Sequence, residues 1–223
     1  MQLWLCPLAA FLLGSIPFGL LIAKASGIDI RAHGSGNIGA TNVFRVIGKK
    51  QGIACLLLDL LKGLIPVALA VNLIQIEGRP VQIPLGLPDP WMMRLPESSA
   101  LTAQTIHIIT ALCAIIGHNY SPWVGFKGGK GIATSAGVLI GLMPFAVLIL
   151  VAFWILLAAT TRYVSIASMG SAAILPILTL WGSWHHGRIQ DGTWNRPLMV
   201  LSILIAVSAI WKHKSNIQRL LAG

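Results

Sequence analysis

The chain has 223 residues, of which 56% are hydrophobic and only 10% are charged, with sixteen Lys and Arg against six Asp and Glu. Globular domains carry about 25% charged residues, so this composition excludes a soluble domain with a water-facing surface. The apolar runs are continuous rather than alternating, which predicts membrane helices and not a transmembrane β-barrel.

The first apolar segment, residues 3–23, is predicted to be a membrane helix. A signal peptide would begin with a basic region, and no basic residue precedes this segment. Further apolar segments of helical length follow along the chain. They lie at about 52–74, 101–117, 134–159, 162–182 and 197–212. The pattern predicts an all-α, polytopic membrane bundle that forms a single domain over residues 1–223.

The positions of Lys and Arg predict which loops face the cytoplasm, because cytoplasmic loops collect basic residues. Residues 24–50 hold five basic residues against one acid, Asp29, and residues 118–131 hold two lysines. Both segments are therefore predicted to be cytoplasmic. Residues 75–100 hold two basic and three acidic residues and are predicted to face outside. These assignments place the N-terminus outside.

Segment 134–159 allows two topologies. A single crossing would leave Arg162 and the basic C-terminal tail outside, against the charge rule. Pro144 lies in the middle of the segment, where two short helices would meet and return the chain to the cytoplasm before Arg162. The second topology gives seven transmembrane helices with a cytoplasmic C-terminus, and the single crossing is the alternative.

The first polar segment of interest is residues 33–45. Its glycines at 34, 36 and 39 imitate a dinucleotide-binding fingerprint, but no strand precedes them, and Asp59, at the position of the fingerprint's acid, lies in an apolar helix. The free N–H groups of a glycine-rich turn can face an anion, and Arg45 adds a charged donor. The segment therefore indicates an anion site, with an ordinary interfacial loop as the alternative.

The second polar segment, residues 117–134, has Lys127 and Lys130 interleaved with three glycines at the start of a helix. It is not a Walker A loop, because that pattern needs Gly at 124 and Ser or Thr at 131, where this chain has Val and Gly. The glycines allow close backbone approach, and a helix N-terminus adds positive potential. The segment predicts a phosphate site; a lysine pair that only sets topology is the alternative.

Smaller polar groups complete the set. The tail from His213 to Leu220 is basic, and residues 162–168 enter the membrane from the same predicted side. Asp59 and Lys62 are three residues apart on a predicted helix, so they are expected to pair with each other or with the site. The three cysteines are scattered through apolar segments and have neither zinc-site spacing nor a disulfide framework.

These strings resemble the PlsY family of bacterial acylphosphate-dependent glycerol-3-phosphate acyltransferases. The match covers nearly the whole chain, and the segment from His118 to Thr134, which contains Phe126 to Gly131, is its most specific part. Residues 13–19, 35–45, 59–63 and 213–220 resemble further family motifs. The family's third motif runs on to a Glu that has no counterpart before Gly223.

The resemblance implies a seven-helix fold with its site on the cytoplasmic side of the bacterial inner membrane, and it assigns roles to residues. The expected catalytic residues are Ser35, Arg45, Lys130, His213 and Asn216. The expected substrate-binding residues are Gly36, Asn37, Thr41, Asn42, Lys62, His118, Lys127, Gly128, Gly129, Gly131, Thr134, Ser165, Ser168 and Arg219.

The reaction implied by the resemblance transfers a fatty acyl group from acyl phosphate to the 1-hydroxyl of glycerol 3-phosphate, giving lysophosphatidate and phosphate. An acyl phosphate has a good leaving group, so the protein's work would be orientation and charge stabilisation. The chain lacks the His-x-x-x-x-Asp pair of other glycerol-phosphate acyltransferases and a Gly-x-Ser-x-Gly elbow. We expect no metal, no cofactor and no nucleic acid, and a monomer in the bilayer. A transporter or flippase for a phosphorylated solute is the alternative function.

Overall fold

A computed structural model describes residues 2–222, apart from the side chain of Gln2; Met1 and Gly223, the two ends of the predicted domain, lie outside the described residues. The α-helices are α1 Gln2–Ser15, α2 Phe18–Ala25, α3 Ala40–Val46, α4 Lys49–Leu73, α5 Ala100–Asn119, α6 Ile132–Leu142, α7 Pro144–Thr161, α8 Val164–His185, α9 Arg196–Lys212 and α10 Lys214–Leu221. Single 3-10 turns lie at Ile30–Ala32, Asp89–Trp91, Glu97–Ser99 and Pro122–Val124. The short strands β1, Ile74–Ile76, and β2, Met93–Leu95, pair in parallel.

Several of these helices are long and apolar enough to cross a membrane, which takes about 20 residues. The span Leu3–Ala25 combines α1 and α2, which Pro17 separates, and the helices α4, α7 and α8 qualify alone. The extended segment Glu97–Val124, built around α5, also qualifies, and α9 with α10 forms a sixth candidate bent by 52°. The predicted helical membrane bundle is confirmed, with the short pair β1 and β2 as an addition that the all-α prediction did not include. The seven crossings and the orientation of the termini stay predictions.

The predicted break at Pro144 is confirmed. Residues 134–159 fall into α6, of 11 residues, and α7, of 18 residues, which meet at Met143. Proline has no N–H to continue a helix but is favoured in the first turn of a new one, and this explains why the break lies there. The two arms are unequal, and only α7 has the length of a full membrane helix.

Glycines allow two helix pairs to pack closely. A methyl group at Gly137 of α6 would lie 1.9 Å from the carbonyl oxygen of Leu60 in α4. A methyl group at Gly117 of α5 would lie 2.5 Å from the carbonyl oxygen of Phe11 in α1. The main apolar core lies between these pairs and the later helices. Its buried members include Val67, Ile108, Ala114, Val138, Leu175, Leu201 and Ile205.

The polar segments collect at one end of the bundle. Ser121, just after α5, donates a hydrogen bond to the Ser15 carbonyl at the end of α1, with a length of 2.6 Å. Lys212, at the end of α9, donates to the carbonyl of Asn119 at 3.2 Å. The helices α1, α5 and α9 therefore end together. We call this end, with residues 24–50, 118–131 and 212–221, the basic end, and the opposite one, with residues 74–99, the strand end.

Candidate active site

Asn42 organises the first loop of the basic end. Its amide nitrogen lies within hydrogen-bond distance of the carbonyl oxygens of Ile30, His33 and Asn37, at 2.9–3.3 Å. Its amide oxygen accepts the N–H of Ser35 at 2.9 Å. Because Asn42 is buried and its polar atoms are used within the loop, it holds the turn that carries Ser35 and Gly36. Arg45, in α3, is left exposed.

The second loop folds tightly against His118. The N–H of Gly129 donates to the His118 carbonyl at 3.1 Å. A methyl group at Gly128 would lie 2.0 Å from that carbonyl oxygen, and one at Gly129 would lie 2.2 Å from Nε2 of the His118 ring. Side chains at either glycine would therefore displace the loop. Phe126 adopts a positive φ of 61°, which is rare for a residue with a side chain.

Lys130 connects this loop to α10. Its ammonium group donates a hydrogen bond to the amide oxygen of Asn216. Burial, with a smaller contribution from the charge of Arg219, lowers the pKa of Lys130 from 10.5 to about 8. His213, at the bend between α9 and α10, is buried, and its Nδ1 lies 2.7 Å from the Ala209 carbonyl oxygen. The second and third polar segments thus meet at one lysine.

An apolar cavity of about 230 Å³ opens beside Lys130, between α5, α6 and α9. Ile115, Leu204 and Ile205 are among its apolar walls. Asn119 and Lys130 are among its polar lining residues. The cavity therefore combines an apolar interior with a cationic group, an arrangement suited to an amphiphile with an anionic head.

Several buried polar atoms near the second loop have no hydrogen-bond partner among the described residues. They include Oδ1 of Asn119 and Oγ1 of Thr134, which is fully buried. A methyl group at Gly131, which has a φ of 78°, would lie 2.7 Å from Asn119 Oδ1. A buried polar atom costs free energy until it is paired, so these groups are available to a ligand or to water.

Comparison with known proteins decides the family. The family model described as glycerol-3-phosphate acyltransferase matches residues 4–223. The chain belongs to the glycerol-3-phosphate acyltransferase family. A glycerol-3-phosphate acyltransferase of Geobacter sulfurreducens is 43% identical, with 96% of this chain and 91% of the relative covered. The enzyme of that name from Fusobacterium nucleatum is 40% identical, with the same shares covered.

Two solved structures have the same fold. One is the crystal structure of PlsY, an integral membrane glycerol 3-phosphate acyltransferase, in its glycerol 3-phosphate form. It is 33% identical, with a TM-score of 0.79, and covers 100% of this chain and 94% of its own. The other is the lysophosphatidic acid form of PlsY, with a TM-score of 0.76 and 33% identity, covering 100% and 93%. The resemblance to the PlsY family is thus confirmed.

The residues expected to form the acyltransferase site differ in how deeply they are buried. Exposed members are Gly36, Thr41, Arg45, Lys127 and Arg219. Half-buried members are Ser35, Asn37, Gly128, Lys130, Ser165 and Asn216. Buried members are Asn42, Lys62, His118, Gly129, Gly131, Thr134, Ser168 and His213. Four of these residues lie in helices outside the ranges that define the basic end: Lys62 in α4, Thr134 in α6, and Ser165 and Ser168 in α8. The others lie within those ranges.

The structure brings together some expected site residues and leaves others apart. Lys130 and Asn216 are in direct contact, and Arg219 lies close enough to influence Lys130. No hydrogen bond or ion pair within residues 2–222 joins Arg45 to this group. The first and second loops contact through a buried cluster that includes Val43, Cys55 and Val124. Ser168 lies near the N-terminus of α8, where its hydroxyl accepts a hydrogen bond from the Trp154 indole N–H at 3.2 Å.

Two polar residues beside the expected site, Asn119 and Lys212, were not among the residues predicted from the sequence. Lys212 Nζ lies 3.9 Å from the centre of the Tyr120 ring, a cation–π contact, and also binds the Asn119 carbonyl. Both follow directly on apolar helical runs, a position that signals a helix end but carries no motif. Among the described residues, no group of three or more His, Cys, Asp or Glu could hold a metal ion.

Proposed function

We propose that this acyltransferase moves a fatty acyl group from acyl phosphate to the 1-hydroxyl of sn-glycerol 3-phosphate, giving lysophosphatidate and phosphate. The observation that carries the proposal is the position of Lys130, which belongs to the glycine-rich loop and also lines the apolar cavity. An acyl phosphate has an apolar chain and an anionic head, which fit the two sides of this lysine. The glycerol 3-phosphate and lysophosphatidic acid forms of the PlsY neighbour support both the acceptor and the product.

In the proposed step, the 1-oxygen of glycerol 3-phosphate forms a bond to the acyl carbon and the bond from that carbon to the phosphate oxygen breaks. The departing phosphate takes the proton of the attacking hydroxyl. The acyl group therefore passes directly from donor to acceptor, and no covalent enzyme intermediate is needed. Negative charge grows on the acyl oxygen and on the leaving phosphate. Preorganised cations and N–H groups stabilise such charge most when they face it before the reaction begins.

The proposed roles follow from position and donor chemistry. Lys130, with Asn216, Arg219 and His213 around it, would bind the acyl phosphate head. Ser35 and Arg45, with the loop residues Gly36, Asn37 and Thr41, would bind the phosphate of the acceptor. Asn42 would act by holding that loop, since its own polar atoms are used within it. The other members proposed for substrate binding are Lys127, Gly128, Gly129, Gly131, Thr134, Ser165 and Ser168.

We further propose seven transmembrane helices, with the N-terminus outside and the basic end in the cytoplasm of a bacterial inner membrane, and a monomeric enzyme. The basic residues at one end support this orientation, because cytoplasmic loops collect Lys and Arg. Cysteines introduced one at a time would be labelled from outside within residues 77–98 and 184–195. Outside labelling at position 162 would contradict the topology.

The decisive assay uses purified protein in detergent with acyl phosphate and glycerol 3-phosphate. We expect lysophosphatidate and phosphate to form in equal amounts, and no turnover when acyl-CoA replaces acyl phosphate. Turnover with acyl-CoA alone would refute the donor assignment. Uptake of glycerol 3-phosphate into vesicles with no product formation would identify a transporter instead.

A further inference from the structure

Three ionisable side chains meet inside the bundle, beneath the second loop. They are Asp59 and Lys62 of α4 and His118 of α5. Lys62 Nζ lies 2.9 Å from Asp59 Oδ1, and Nδ1 of His118 lies 3.6 Å from the same oxygen. Only 3% of the Lys62 side chain, 4% of Asp59 and 6% of His118 are exposed. Ionisable groups this deeply buried need a partner. Asp59 and Lys62 form an ion pair, and His118 Nδ1, which has no hydrogen-bond partner within the described residues, lies next to that pair.

His118 connects this cluster to the loop that carries Lys130. One ring nitrogen, Nδ1, faces Asp59, while the other, Nε2, lies where a methyl group at Gly129 would be only 2.2 Å away. The carbonyl of His118 also accepts the N–H of Gly129. The ring therefore lies as a spacer between a buried carboxylate and the backbone of the residue that precedes Lys130.

Lys62 connects the same cluster to the break between α1 and α2. Its ammonium group donates to the carbonyl of Ile16 at 2.7 Å. Ile16 directly precedes Pro17, which ends the helical hydrogen bonding there. The neighbouring residue, Ser15, is bonded to the start of the second loop through Ser121, at 2.6 Å, and Trp123, at 2.9 Å. One ammonium group thus fixes α1 and α4 together, directly under the loop.

We propose that Asp59 and Lys62 are positioning residues for acyl transfer: acting through His118, the pair sets the position of the Gly128–Lys130 backbone and does not contact substrate. The inference rests on the function proposed above and replaces the expectation that Lys62 and His118 bind substrate directly. Its physical basis is that two opposite buried charges form one unit. Removal of one leaves the other uncompensated, whereas removal of both leaves a neutral interior.

The test compares Asp59→Asn, Lys62→Met and the double variant that carries both changes. We expect each single variant to lose at least about tenfold in kcat/KM for glycerol 3-phosphate, and the double variant to recover at least about fivefold over either, as coupled neighbours do. If Lys62 held a substrate phosphate, the double variant would instead be as poor as Lys62→Met. If the wild-type protein itself transferred no acyl group, the proposed function would be refuted. That outcome is distinguishable from failure of the positioning inference, in which the wild-type protein is active and the variants behave differently from the expectation.

A second readout distinguishes positioning from loss of folded protein. Loss of folded protein lowers the rate but leaves KM and its pH dependence unchanged. A displaced loop exposes Lys130, so the alkaline rise in KM for acyl phosphate moves in Asp59→Asn from about pH 8 toward the ordinary lysine pKa of 10.5. The matched control is Thr179→Val, which removes a buried 2.7 Å hydrogen bond to Ser202 far from the loop. This control is expected to leave KM and its pH profile unchanged.

If Asp59→Asn and Lys62→Met cannot be purified, a pair of substitutions that changes side-chain size tests whether the His118 ring positions the loop. Gly129→Ala places a methyl group against the His118 ring, and adding His118→Ala removes the ring. We expect the double variant to have at least about fivefold higher kcat/KM than Gly129→Ala alone. Equal or lower activity in the double variant would overturn the inference, as would wild-type kinetics and pH profile in Asp59→Asn.

Discussion

At the strand end, both arginines of the long loop lie against carboxylates of the same loop: Arg79 binds Glu97, and Arg94 lies 2.7 Å from Asp89. At the basic end, the only acid in residues 24–50 is Asp29, and it pairs with its neighbour Arg31 at 3.3 Å. Within the described residues, Arg45, Lys127 and Lys130 of the basic end form no salt bridge with a carboxylate.

This difference separates cations that have a carboxylate partner from cations that have none. A cation that is paired with a nearby carboxylate stabilises its own loop, and its neutralised charge attracts an anionic ligand only weakly. A cation kept among glycines, with no carboxylate partner, is available to an external anion. The comparison predicts that removal of charge at the basic end affects substrate binding and rate, while removal of charge at the strand end does not.

The largest effect is expected at Lys130. A charged hydrogen bond contributes roughly 1.5–3 kcal/mol, and each 1.4 kcal/mol is about tenfold in rate, so Lys130→Ala should lose about ten- to a hundredfold in kcat/KM. The variant should still insert and purify, because Lys130 lies in a loop. Initial rates with both substrates measure the loss. Lys24→Ala is the control, with the same charge at the same end and no glycine context. Nearly wild-type rates in both Lys130→Ala and Lys24→Ala would indicate that these lysines only set the membrane topology.

Arg45→Ala should have the next largest effect, about tenfold, expressed mainly in KM for glycerol 3-phosphate. Arg45 is exposed, so water partly replaces its contact and reduces the loss. Lys50→Ala, an exposed cation a few residues further along the same end, should stay within about twofold. An unchanged KM in Arg45→Ala would remove the first loop from the acceptor site.

The pH dependence sharpens the comparison further. Because burial lowers the pKa of Lys130 to about 8, its charge is present below that pH and is lost above it. KM for acyl phosphate should therefore be flat near pH 7 and rise roughly tenfold per unit well above pH 8. Arg219 and His213 face the same lysine. Lys130→Arg should remove the rise, and a rise that persists in that variant would assign it to another group.

The smallest effect is expected at the strand end. Arg94→Ala removes an exposed ion pair, and such pairs contribute little to stability. Its kcat/KM should therefore stay within about twofold of wild type in the same assay. A tenfold loss would contradict the separation of roles between the two ends.

The sequence predicted the helical membrane class and the grouping of the polar segments, because apolar length and Lys/Arg position depend on local composition. Pro144 also marked the break between α6 and α7 correctly. The contact between Lys130 and Asn216 joins residues far apart in the chain, and no local pattern specifies it. The same holds for His118, which as a helix-end histidine gave no sign that its ring would fill the space behind Gly129.

Equilibrium binding of glycerol 3-phosphate, measured by calorimetry on the protein in lipid nanodiscs, tests the role of the two ends most directly. The chain should bind with one site, Arg94→Ala should bind with the same affinity, and Arg45→Ala should bind about tenfold more weakly. Equal affinities in all three proteins would contradict the claim that Arg45, an uncompensated cation of the basic end, binds the acceptor phosphate.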